Sequence, residues 1–191
     1  CIKGVGKIMA RKLLQTQSTA LLGGAQATIN FTERFDDQYD VYQFVFLNLH
    51  PQTDSTYPDF KPSIDGGDNY GVNTCTTYIR LERGDSSGAS ANYVSGYDSA
   101  GGLTNAGVRM CEDTGNEAEK HMSGTFTIYQ PWSPTFQKHF YIETLNQNGG
   151  DAATLQKIGG YISTTSAVNA FQFYQTSGNI DTGTIKLYGI D

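Results

Sequence analysis

Residues 168–191 read VNAFQFYQTSGNIDTGTIKLYGID. Phe171 and Phe173 stand two apart, the spacing at which side chains return to one face of a strand. Ile185 and Leu187 repeat that spacing, with Lys186 and Tyr188 on the opposite face. Between the two runs, Ser177-Gly178-Asn179 and Asp181-Thr182-Gly183 supply residues that tolerate positive φ or cap a turn with their own side chains. The stretch therefore predicts two strands joined by a tight polar turn, a hairpin that closes a sheet.

Working outward, the same period recurs and no helical one does. Tyr39 to His50 is the strongest strand, with Val41, Val45, Leu47 and Leu49 on one face and Tyr42, Phe44 and Phe46 on the other. Apolar residues on both faces predict a strand covered on both sides, by its own chain or by a neighbour. Ala27–Phe31, Thr76–Arg83, Ser123–Tyr129, Lys138–Leu145 and Gln156–Thr164 read as further strands, with weaker ones at Ala91–Tyr97 and Val108–Cys111. The chain is expected to leave the sheet at Pro51, since proline cannot donate to a ladder, and the polar stretch Gln52–Asn73, with Pro58, Pro62 and Gly66-Gly67, reads as a loop. Eight to ten strands with turn signals about every 8–12 residues, and no helix long enough for a βαβ crossover, predict an all-β fold. Its expected form is a two-sheet antiparallel β-sandwich of jelly-roll type over residues 27–191.

Residues 1–26 are expected to form a short N-terminal arm. Leu13, Leu14, Leu21 and Leu22 make no sustained stripe, and Gly23-Gly24 ends whatever forms. Gln15 to Thr19 interrupt any apolar core of a secretory signal. Residues 1–8 (CIKGVGKI) read as translated leader, since Met9-Ala10-Arg11 is the natural start and Lys3-Gly4-Val5 can be encoded by a purine-rich run like a ribosome-binding site.

Three of these segments carry a resemblance. Ser177 to Ile190, Tyr39-Asp40-Val41-Tyr42 running through Phe44 and Phe46 to Pro51 and Asp54, and Asp65-Gly66-Gly67-Asp68-Asn69-Tyr70 are similar, in order and spacing, to a family of jelly-roll-like virion structural proteins of tailed, often marine, bacteriophages. The likeness spans most of residues 27–191 and departs from the pattern around Tyr97 to Glu119. It implies a virion component without saying which one; the expected roles are a head decoration or cement protein, or part of a head or tail fibre, on the particle surface. It further implies a homo-oligomer, expected as a trimer, that meets a major capsid or tail protein.

Composition narrows the alternatives. The net charge is −6, yet residues 1–12 hold Lys3, Lys7, Arg11 and Lys12 and no acid, which leaves nine positive against nineteen negative charges beyond them. A domain that acidic is a poor partner for nucleic acid, which demands clustered Lys and Arg. No run approaches the ~20 apolar residues of a membrane helix. Cys1, Cys75 and Cys111 lack zinc-site spacing and read as free thiols, with a Cys75–Cys111 bridge left open.

No catalytic, metal or cofactor motif emerges. Glu33, Asp36, Asp37 and Asp40 crowd one turn rather than facing each other across a cleft as a glycosidase pair must. Asp65 to Asn69 lacks the terminal Glu of an EF-hand loop and reads as a turn. Glu112 to Glu119 reads as an exposed acidic loop. His50, His121 and His139 belong to no triad. Tyr70, Tyr93, Tyr97 and Trp132 fall in or near loops, where flat rings serve a host glycan or a protein partner, or else cap the open ends of the sandwich. The expected function is structural and non-enzymatic. A carbohydrate-binding module is the rival, and a polysaccharide depolymerase whose acids converge only in three dimensions is the third reading.

Overall fold

The computed structural model describes residues 10–84, 88–99 and 107–191. The expected leader, residues 1–8, and Cys1 lie outside them. The described chain contains twelve strands: β1 (Arg11–Ser18), β2 (Thr28–Phe31), β3 (Val41–Pro51), β4 (Pro58–Ser63), β5 (Thr74–Gly84), β6 (Gly88–Tyr93), β7 (Val108–Arg109), β8 (Met122–Tyr129), β9 (Lys138–Gln147), β10 (Ala153–Ile162), β11 (Ala170–Gln175) and β12 (Ile180–Ile190). They form an eight-stranded sheet, β1-β12-β3-β8-β9-β10-β5-β6, and a four-stranded sheet, β2-β11-β4-β7, with every pairing antiparallel.

From β2 onward the chain crosses between the sheets at almost every step. It stays in one sheet only for the hairpin β5-β6 and the meander β8-β9-β10. That winding is a jelly roll of β1-β12-β3-β8 with β2-β11-β4-β7, and four more strands, β9, β10, β5 and β6, are added to the larger sheet beside β8. The core lies between the sheets and is aromatic. Phe44 on β3 meets Phe31, Phe126, Phe171 and Phe173 at centroid distances of 5.0–5.4 Å. Tyr42, Phe44 and Phe46 of the larger sheet are buried together with Phe60, Phe171 and Phe173 of the smaller one. Period-2 alternation thus sends the phenylalanines of β2, β3, β4, β8 and β11 into one shared layer.

Four expectations are corrected. The segment at 168–191 is no hairpin: β11 belongs to the small sheet and β12 to the large one, so Thr176 to Asn179 arch across the core. β12 begins at Ile180, and Asp181 to Gly183 are taken up in two register shifts rather than in a turn. Arg11–Ser18 is not a free arm but an edge strand on β12, so the larger sheet starts well before Ala27. Leu49 does not share a face with Val41, Val45 and Leu47. Asn48 adopts φ +51°, the local register shifts, and Leu49 turns into the core while Leu47 stays exposed.

The fourth correction is β4, expected as loop. Tyr57 O accepts from Thr176 N–H and Ser63 O from Asn169 N–H, so the odd-numbered residues bond toward β11. Pro58 and Pro62 therefore aim their missing donors toward β7, which is only two residues long. The prolines fit because that side needs no donor from them: Pro58 only accepts there, from Met110 N–H at 2.9 Å.

Candidate functional site

The outer face of the large sheet is where an apolar surface meets solvent. Register places Ser123, Leu145, Leu155, Leu81 and Ala91 in one row across β8, β9, β10, β5 and β6. The adjacent row on one side is Glu143, Lys157, Ile79 and Tyr93, and on the other Gln147, Ala153, Arg83 and Ala89. Leu145 is 56% exposed, Ile79 48% and Leu81 42%. Over this leucine row lies an open groove of about 1010 Å³, with Leu81, Leu145 and Leu155 among its walls and Glu119, His121 and Asp151 at its margin.

The margin is built rather than loose. Lys120 Nζ reaches Glu117 at 3.0 Å, Asp151 at 2.8 Å and the Gly149 carbonyl at 3.4 Å, which ties the acidic loop to the β9–β10 turn. Asn148 Oδ1 accepts from Gly150 and Ala152 N–H and shapes that turn. Lys120 holds the Asp151 carboxyl below the usual carboxylate range.

The four aromatics read from the sequence do not form one platform. Trp132 packs against the core and donates Nε1–H to Tyr39 O at 3.0 Å. It follows β8, four strand spacings or about 19 Å from β6, where Tyr93 sits. Tyr97 also packs on the core, edge-on to Tyr57 and Tyr78, and donates to Glu112 at 3.1 Å. The Arg109 guanidinium lies 3.6 Å from the Tyr57 ring centre and 4.5 Å from that of Tyr97, so both rings serve an internal cation–π stack. Tyr70 is half-buried. Of the four, only Tyr93 presents its ring to solvent, 61% exposed, beside Ile79. Its hydroxyl donates to Asp98.

The carboxylates resolve into structural roles. Asp36 accepts from the Tyr42 hydroxyl at 2.9 Å, and burial beside it drives the Tyr42 hydroxyl pKa upward. Asp65 Oδ1 accepts from the Ser63 hydroxyl and Asn69 N–H, which lowers its pKa to about 2 and forms a side-chain-capped turn. Glu112 is not exposed as expected: it is buried and ion-paired with Arg80. Cys75 and Cys111 are free thiols, and Cys111 is fully buried.

Asp59 is the residue that sequence reasoning missed, because it sits in the stretch taken for a loop. It is buried, with Arg109 Nε at 3.7 Å and the Tyr174 hydroxyl at 3.5 Å, and burial pushes its carboxyl up to about 6. Asp59 and Asp98 line one pocket of about 170 Å³. That volume falls below the ~300 Å³ at which small-molecule sites begin. Among the described residues, no group of three or more His, Cys, Asp or Glu is arranged to hold a metal, and no helix is long and apolar enough to cross a membrane. Comparison with family models, curated proteins and solved structures gives no match.

Proposed function

We propose that the chain is a non-catalytic virion structural protein of a tailed phage, a head decoration or cement protein or a fibre component on the particle surface. It acts as a homotrimer in contact with a major capsid or tail protein, and uses no cofactor and no nucleic acid. The observation that carries this reading is the leucine row on the outer face of the large sheet. A row of half-exposed leucines over a groove this size is an association surface rather than ordinary scatter of single apolar residues. The likeness of Tyr39–Asp54, Asp65–Tyr70 and Ser177–Ile190 to phage virion proteins adds the setting. Mass spectrometry of purified particles tests the location: peptides of this chain at stoichiometric abundance are expected, and their absence refutes it. Light scattering tests the assembly, with a multiple of the 20.8 kDa chain mass expected.

The second reading, a carbohydrate-binding module for host glycan, draws on Tyr93 and Tyr141, which flank the same face with exposed rings. Glycan-array binding that Tyr93→Ala abolishes would favour it over the structural reading.

A further inference from the structure

The turn that follows β1 carries the most exposed leucine among the described residues. Leu21 is 70% exposed and its neighbour Leu22 is 41% exposed. This turn is not a slack loop. Ser18 Oγ accepts from Leu21 N–H at 3.2 Å, Ser18 O from Leu22 N–H at 3.0 Å and Thr19 O from Gly24 N–H at 2.8 Å. Thr19 N–H donates to Gly183 O, and Gln26 Nε2 donates to the carbonyls of Leu22 and Gly24. Gly23 and Gly24, at φ +89° and +127°, reverse the chain where a side chain would be strained. Two leucines are thus held in a hydrogen-bonded turn with much of their side-chain surface in water.

We propose that this Leu21–Leu22 turn docks in the leucine groove of a second copy of the chain. The contact rests on the oligomer reading above and gives it a geometry. Plug and groove cannot meet within one molecule, because β1 and β10 are five strand spacings, about 24 Å, apart. They do stand at the same height on the sheet. Ser18 pairs with Thr184, which pairs with Leu47, and Asn48 N–H beside it bonds Ser123 Oγ, the start of the leucine row. A plug at one side and a groove on the other make a head-to-tail contact, and the trimer proposed above is the case in which the rotation between copies closes it into a ring. The plug is preformed, so docking orders little additional chain.

The test pairs two surface variants of the full chain, Leu21→Asp/Leu22→Asp in the plug and Leu145→Arg in the groove. Because these leucines are solvent-exposed in the single chain, circular dichroism should show both variants folded. Light scattering at micromolar concentration should give an oligomer for the wild type and the 20.8 kDa mass of one chain for each variant alone. Mixed at equal concentration, the variants retain one intact plug and one intact groove between them, and should form a two-chain complex that stops there. A folded plug variant that keeps the wild-type mass overturns the docking inference and leaves the oligomer reading standing. Folded variants that stay monomeric when mixed also overturn it, because one intact plug and one intact groove then fail to associate. A monomeric wild type overturns the oligomer reading itself.

Discussion

Removal of Thr184 to Asp191 takes away most of β12, and its cost can be worked from the packing. Ile185 and Leu187 are fully buried. At ~1.5–3 kcal/mol for each large apolar side chain, their loss amounts to about 3–6 kcal/mol. A second effect adds to the first. β12 lies between β1 and β3 and, among the described strands, is the only one that β1 pairs with. Truncation therefore detaches β1 and exposes the edge of β3, whose unpaired ladder beside Phe44 and Phe46 invites aggregation. Domains are stable by only about 5–15 kcal/mol, so the fragment should be at or beyond the limit of folding. The assay is urea unfolding of residues 1–183 beside the full chain, followed by intrinsic fluorescence. With an m-value near ~2 kcal/mol/M, the midpoint should fall by roughly 1.5–3 M. Leu187→Ala, expected to cost ~2–5 kcal/mol, covers the case of an insoluble fragment. A soluble fragment whose midpoint matches the full chain, or a Leu187→Ala variant without effect, would refute this placement of the core.

Other outcomes follow from buried polar groups. Asp59 ionises near pH 6 in the fold and near 3.8 when unfolded. Its contribution to stability is therefore complete below about pH 3.8 and is lost as the pH rises to about 6. Asp59→Asn should remove that slope, so its stability relative to wild type should climb between pH 4 and 6.5; parallel pH curves would count against the burial. Lys138 is fully buried, and its Nζ donates to the carbonyls of Ser133 and Phe136 at 2.6 Å, Thr165 at 3.0 Å and Thr164 at 3.3 Å. Lys138→Met leaves those acceptors without their donor and should cost ~2–4 kcal/mol, read from chemical unfolding; a neutral change would mean water replaces the ammonium. A maleimide should label half-buried Cys75 in the native protein and Cys111 only after unfolding, since burial raises the Cys111 thiol pKa and closes access. Peptide mapping that finds Cys111 labelled first would contradict this.

Alternation carried most of the fold into view. Tyr42, Phe44 and Phe46 with Phe171 and Phe173 point to the core directly, because a buried layer imposes period 2 on every strand that touches it. Where only one neighbour stabilises a strand, the signal fails. The apolar pair Leu13-Leu14 breaks alternation in β1, whose order comes from β12 about 170 residues away in sequence. Pro58 and Pro62 hid β4, since which ladder side a strand leaves unpaired is a property of the whole sheet. For the same reason Asp59 was hidden with it. Trp132 and Tyr97 look like loop aromatics in sequence, and only the contacts with Tyr39, Tyr57 and Arg109 turn them into structural residues. The leucine row is the clearest case: Leu81, Leu145 and Leu155 belong to three separate strands, and register alone lines them up.

The position of β12 also sets an order of events during synthesis. β1 leaves the ribosome early but cannot find its partner until Ile190 has been translated, and β3 likewise waits for the neighbour on that side. The small sheet is delayed as well, because β2 and β4 meet only through β11. A nascent chain must therefore hold its first aromatic strands, with Phe31, Phe44 and Phe46 incompletely buried, until about 140 further residues have been made. Such sequence-distant pairings make folding slow. They also mean that the same late strand which completes the core determines how long the chain depends on protection from aggregation.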